Sequence, residues 1–209
     1  MSTTRLPVLF LTDLVVLPGM VVPIELDDAA RAAVDAAKAH SDGTLLVAPR
    51  LEDRYASYGV VAEIVQLGRL ATGEPAAVIK AERRVRIGSG VSGPGTALWV
   101  EAEELPEPAH ETEEVTKLAA EYKSLVIATL QRRDAWQVID TVNRLTDPST
   151  LADLAGYAPW LSDERKRQLL ETPDVTTRLT TLIEWTKAYI AETEVNDKIA
   201  DDVREGMEK

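Results

Sequence analysis

The residues best suited to metal chemistry are His110-Glu111-Thr112-Glu113-Glu114, which open like an H-E-x-x-H helix motif. That motif needs two imidazoles one helical turn apart to hold zinc, and here Glu114 occupies the second position. The other histidine is His40, and the chain has no cysteine, so a thiolate zinc site, a disulfide framework and a cysteine nucleophile are excluded. The His110 run reads instead as an acidic helix start, which the helix dipole favours. A phosphate-cradling loop places glycines ahead of Lys and Ser/Thr so that backbone N–H groups face the phosphates. No lysine here follows a glycine, and Gly88-Ser89-Gly90 lacks the outer spacing of a serine-hydrolase elbow and reads as a turn. The carboxylate pairs Glu103-Glu104 and Asp201-Asp202 are adjacent in sequence, so they diverge in either a strand or a helix. Trp136, Trp160 and Tyr157 read as core or interface anchors. No catalytic, cofactor-binding or metal-ligating residue emerges.

Charge narrows the choice of partner. Thirty-five acidic residues against 23 basic ones give a net charge of −12, which repels a phosphate backbone at long range. The one candidate basic strip is Lys80, Arg83, Arg84 and Arg86. Alternation makes Lys80, Arg84 and Arg86 the solvated face of a strand whose inner face is Ala77, Ile79, Ala81, Val85 and Ile87. Nucleic acid is therefore disfavoured as a ligand. The apolar run Leu14 to Ile24 is broken by Pro18, Gly19 and Pro23 and falls short of the roughly 20 residues that span a bilayer. With no leader pattern, the expectation is a soluble, cytoplasmic protein without a membrane partner.

The elements that would position any site divide near Pro106. Residues 1–105 read as mostly β with one helix: strands at Leu6–Leu11, Val21–Leu26 and Thr44–Ala48, a long hairpin from Val60–Leu70 to Ala76–Ile87, and a last strand at Thr96–Leu105. Leu17-Pro18-Gly19-Met20 has the Pro-Gly order of a type II turn, and Asp27 or Asp28 caps a helix running to about His40. Glycines 88, 90, 93 and 95 form a flexible turn before the last strand. Strands around one helix suggest a closed or half-closed barrel, so the fold class is α+β with a mostly antiparallel barrel followed by helices.

Pro106-Glu107-Pro108 reads as the joint to a helical bundle over 106–172. Thr112–Arg132 carries an amphipathic stripe, Asp147-Pro148 and Ser162 start short helices, and Thr172-Pro173 starts a long helix over 173–209. From Pro173 to Lys209 that rod is about 50 Å long at about 1.5 Å per residue. Beyond Ile190 its apolar face thins to Val195, Ile199, Val203 and Met207, too narrow to bury a core, so it needs a partner surface. The run reads as an unfinished helix whose continuation holds the active machinery.

Several blocks together resemble a known family. Leu6-Pro7-Val8-Leu9 and Asp13-Leu14-Val15-Val16-Leu17-Pro18-Gly19-Met20-Val21-Val22-Pro23-Ile24 are similar to the opening signature of the Lon protease N-terminal domain. Tyr58-Gly59-Val60-Val61-Ala62-Glu63-Ile64 with the hairpin to Arg83-Arg84-Val85-Arg86-Ile87 resembles its second block. Leu169 to Val175 with Arg178-Leu179 resembles the segment before Lon's long helix, and Val203 to Lys209 the approach to its ATPase. Thr12, Leu17 and Ala81 depart from the usual basic, aromatic and glycine residues there. The resemblance implies a PUA-like barrel plus helical bundle that captures unfolded or damaged proteins for an ATP-driven, homohexameric protease with a Ser-Lys dyad. ATP and Mg would then belong to the full-length parent, and neither the Walker loop nor the dyad has a matching position here. Candidate client or subunit contacts are Pro18, Gly19 and Met20 at the turn tip, Tyr157 and Trp160, and Ile199, Val203 and Met207 on the last helix. The competing expectations are a free-standing regulator with no protease attached and, less in keeping with the acidity, an RNA-binding barrel.

Overall fold

A computed structural model describes residues 3–106 and 112–208. Glu107 and Pro108 of the expected joint, and His110 and Glu111 of the acidic run, lie outside the described residues. Two compact units emerge. One contains the residues up to Pro106 together with Asp153–Pro173, and the other those from Thr112 to Ala152 together with Asp174 onward.

The first unit is built on six strands: β1 (Thr3–Leu11), β2 (Val21–Glu25), β3 (Thr44–Pro49), β4 (Tyr58–Arg69), β5 (Pro75–Val91) and β6 (Leu98–Glu104). Their order is β2-β5-β4-β3-β1-β6, and an additional β5–β6 pairing closes five of them into a barrel. Closure depends on the 17 residues of β5, whose first half pairs with β2 and whose second half pairs with β6. The β1–β3 pair is parallel and the others are antiparallel. A parallel pair needs a crossover, and β2 with helix α1 (Asp28–His40) supplies it. Asp27 caps α1 by accepting the Ala30 N–H at 2.8 Å, as its position in the sequence predicts. The buried face of α1 is Ala30, Ala33, Val34, Ala36 and Ala37, small side chains that let the helix lie close on β1 and β3.

The barrel interior gathers Leu6, Val8, Leu46, Ala48, Val61, Val85 and Val100. β3 is buried on both faces, since Leu45 and Val47 lie opposite Leu46 and Ala48, which explains its unbroken apolar run. The expected glycine turn before β6 is shorter than its glycines suggest. β5 continues through Gly88 and Gly90 to Val91, with an irregularity between Ile87 and Gly90 in its pairing with β6. Gly88 passes so close to β6 that a Cβ there would meet the Glu101 carbonyl at 3.2 Å.

The pairing of β4 with β5 corrects one sequence expectation. Ala81 lies opposite Ala62 and Arg84 opposite Val60, so Glu82 is an extra residue in β5. Ala62 and Val60 are two apart on one face of β4, which places Arg84 on the same face as Ala81. One bulged residue thus reverses the alternation, and Arg84 is buried instead of solvated.

The first unit also holds the segment 153–173. It contains a 3-10 turn at Leu154–Tyr157, which continues α4 (Pro148–Asp153), and helix α5 (Asp163–Leu170), capped by Ser162 through the Arg165 N–H at 3.2 Å. The sequence expectation grouped 106–172 as one bundle. The structure instead places 153–173 with the strands, because Asp153 and the carbonyls of Leu169 and Leu170 bind Arg84.

The second unit comprises α2 (Glu113–Arg132), α3 (Trp136–Arg144), most of α4 and the long α6 (Val175–Glu208). α2 packs on α3 and α6. Asp147 caps α4 as expected, accepting the Thr150 N–H at 3.0 Å, and Thr112 caps α2 by accepting the Val115 N–H at 3.2 Å. α6 starts at Val175, two residues beyond the expected Pro173. Its start is fixed by Asp174, which accepts from the Thr177 N–H at 2.9 Å and the Thr177 hydroxyl at 2.6 Å. Those two bonds hold the Asp174 carboxyl below the usual carboxylate range.

Candidate functional site

Of the residues expected at contact surfaces, the turn tip is mostly interior. Gly19 has φ +89°, the left-handed conformation that a Pro-Gly type II turn requires. The Met20 N–H bonds the Leu17 carbonyl at 3.2 Å, and both Leu17 and Met20 are buried. The Gly19 N–H donates to the Ala81 carbonyl at 2.9 Å, and the Ala81 N–H donates to Met20 O at 2.8 Å, so the tip is stitched to β5. Only Pro18 and Gly19 reach the surface. Met20 is therefore a core residue, and the expectation that it touches a client is corrected by its burial.

Tyr157 joins the same neighbourhood. Its hydroxyl accepts the Val21 N–H at 2.7 Å, while its ring stays half exposed. Gly156 allows this approach, because a Cβ there would fall 2.4 Å from Met20 Sδ. The outer edge of β2 is consequently blunted against strand addition at Val21, whose N–H is satisfied by Tyr157, and at Pro23, which has no N–H to offer. Trp160 is partly exposed nearby in sequence, after the 3-10 turn. On α6, Ile199, Val203 and Met207 all project into solvent, as does Val195.

The expected basic strip is dispersed. Arg84 is buried and its guanidinium lies 3.0 Å from Asp153 Oδ1. Arg83 makes a two-pronged bond with the Glu104 carboxylate at 2.7 and 2.9 Å, which holds Glu104 below its usual range. Arg86 lies 5.6 Å from the Tyr58 ring centroid and donates to its hydroxyl at 3.2 Å. Lys80 stays exposed.

A further site escaped the sequence reading. β1 and β3 run parallel to neighbouring ends at Leu11 and Pro49, and the loop that leaves Pro49 returns only at Tyr58. An open recess of about 390 Å³ lies there, lined by the apolar Phe10, Leu51, Tyr55 and Leu98 together with the charged Arg50, Glu52, Asp53 and Arg54. Tyr55 is 82% and Leu98 60% exposed, and the Phe10 and Tyr55 rings stand 6.0 Å apart at 46°. Two contacts hold the loop in place. The Arg50 N–H donates to the Leu11 carbonyl at 2.8 Å, and Arg54 pairs with Glu171 at 2.9 Å. An exposed aromatic set in Arg50-Leu51-Glu52-Asp53-Arg54 was the available signal, but the loop has no periodicity to give it weight. Among the described residues, no group of His, Asp and Glu is placed to hold a metal, and no helix is long and apolar enough to cross a membrane.

Comparison with known proteins agrees with this arrangement. The family described as the ATP-dependent protease La (LON) substrate-binding domain matches residues 5–188. A Lon protease of Mycolicibacterium smegmatis is 67% identical over 97% of this chain, and one of Salinispora arenicola is 57% identical over 98%. In both cases the chain spans only 26% of the relative's length. The solved N-terminal domain of Mycobacterium avium complex Lon protease superposes with a TM-score of 0.84 at 64% identity, covering 88% of this chain and 98% of that one. A Lon N-terminal domain protein from Xanthomonas campestris shares the fold at TM-score 0.61 and 20% identity, over 87% of this chain and 98% of that one. With strands and helices in the same arrangement and the match running through both units, the chain belongs to the Lon substrate-binding domain family.

Proposed function

We propose that this chain is the client-capturing and assembly region of an ATP-dependent Lon serine protease that degrades misfolded and damaged proteins. In this reading the ATPase, with its ATP and Mg, and the Ser-Lys dyad reside in the remaining three quarters of a parent like the relatives above. No residue of this chain is assigned to them. The parent is a cytoplasmic homohexamer, and repetition of weak capture sites around the ring raises the effective concentration of any second contact. Relatives several times longer than the chain support an attached protease over the free-standing regulator.

The observation that carries the reading is the recess beside Tyr55. Exposed aromatic and aliphatic side chains, Phe10, Leu51, Tyr55 and Leu98, set among the charged Arg50, Glu52, Asp53 and Arg54, suit the apolar segments that unfolded proteins expose and folded ones bury. The test is a photocrosslinking residue in place of Tyr55. Crosslinks should form with a reduced, carboxymethylated protein and be absent with the same protein in its native state. If neither Tyr55 nor other surface positions crosslink to unfolded protein, the capture role is wrong.

A further inference from the structure

We propose that the exposed edge of α6 is a docking surface for short cationic amphipathic segments of client polypeptides, an inference that rests on the capture role above. Val195, Ile199, Val203 and Met207 are each between 56% and 83% exposed. On the other side of α6, Arg132 of α2 pairs with Glu194 at 3.6 Å and with Asp197. At 100° per residue those two acids lie roughly 170° around the helix from the centre of the apolar row. The packing of α2 on α6 therefore leaves the row facing away from it.

The spacing specifies the shape of the occupant. A row at every fourth residue drifts about 40° per step, so a helix lying alongside loses contact within a few turns. Such a row is the ridge that packs into the groove of a helix crossing at an angle of about 50°. Four residues over roughly 18 Å suit a short segment. A long parallel coiled coil would need the alternating three-and-four spacing that is missing here.

Charge specifies its chemistry. Between 192 and 207 the helix carries Glu192, Glu194, Asp197, Asp201, Asp202 and Glu205 against Lys198 and Arg204. Arg204 is engaged with Asp201 at 3.9 Å. Glu192 stands three residues before Val195 and seven before Ile199, and Asp202 three after Ile199 and seven after Val195, so both share the apolar face. Lys198 and Arg204 flank that face, each about 120° around the helix from its centre. A second copy of the same helix would bring like charges together, whereas a segment with apolar and basic residues meets both features.

The test measures fluorescence anisotropy of two labelled amphipathic peptides of equal length, one of Leu and Lys and one of Leu and Glu, with the whole chain. The Leu/Lys peptide should bind, and binding should weaken as salt is raised. The Ile199→Ser, Val203→Ser double variant should bind it roughly tenfold more weakly, the loss expected from two apolar contacts. Glu192→Lys with Asp202→Lys should shift preference toward the Leu/Glu peptide, and Leu67→Ser, a change at an exposed apolar residue of β4, should leave Leu/Lys binding unchanged. The proposal fails if the Leu/Glu peptide binds wild type equally well, or if the Ile199/Val203 variant binds as wild type does. It fails too if sedimentation shows those substitutions dissociating a dimer built on this edge. Failure of the wild-type chain to bind the Leu/Lys peptide, with crosslinking at Tyr55 present, would sink this surface alone, while failure of both would sink the capture role.

Discussion

Arg84 and Asp153 form a buried pair in which each removes the other's isolation cost, with Leu169 and Leu170 carbonyls taking further guanidinium protons. Removing one partner leaves the other charged and dry, so Arg84→Ala should cost about 3–5 kcal/mol in urea unfolding. Arg84→Met with Asp153→Ala should recover part of that loss, because no uncompensated charge remains. Gly156→Ala addresses the neighbouring contact. Its Cβ would displace Met20 Sδ and press on Leu17, for an expected loss of about 1–3 kcal/mol. Asp174 is a different case, exposed and valuable as a cap. Its folded pKa lies below the unfolded value, so its contribution is present above the unfolded carboxylate pKa and is lost as pH falls through the folded one. Asp174→Ala should cost about 1 kcal/mol at neutral pH and should reduce the acid-limb slope of stability against pH. None of these three residues announces its role in sequence. Arg84 sits among arginines that solvate, Gly156 is one glycine of 11, and Asp174 follows a proline that draws the expected helix start to itself.

At the scale of elements, the bulge at Glu82 decides which face of β5 meets which core. Deleting Glu82 would restore strict alternation and force either Arg84 or the Ala77-Ile79-Ala81 set onto the wrong face. The deletion should abolish cooperative unfolding and near-ultraviolet ellipticity, whereas Glu82→Ala, which keeps the residue count, should stay within about 0.5 kcal/mol of wild type. This contrast shows what was legible and what was not. Caps at Asp27, Asp147 and Ser162 are readable because a capping side chain binds an N–H only a few residues away. Strand existence is readable from apolar runs, and the turn at Pro18-Gly19 from the φ that glycine alone adopts freely. Register is set by pairing with a distant strand, and a bulge inserts itself without any compositional mark. The recess beside Tyr55 has the same origin. It exists because β1 and β3 end side by side, a pairing between residues far apart in the chain.

For the whole molecule, the informative fact is that the chain leaves the first unit and returns to it. A cut near Pro106, where composition changes, looks natural from the sequence, since short capped helices read alike whichever unit they join. The structure argues otherwise. A fragment of residues 1–105 would leave Arg84 without Asp153 and without the Leu169 and Leu170 carbonyls, and the Val21 N–H without Tyr157. It would also uncover Leu17 and Met20 where Gly156 now lies against them. An unpaired buried cation and newly wetted apolar surface both favour a loosened state with native-like strands but mobile packing. Fragment 1–105 should therefore bind a hydrophobic dye and melt without a sharp transition, while the 209-residue chain melts cooperatively. Adding a peptide of residues 153–173 in excess should restore part of the transition, because that segment alone supplies every group named here. A sharp, dye-free melt of 1–105 on its own would show that the strands need no returning segment and that the boundary at 106 is the true one.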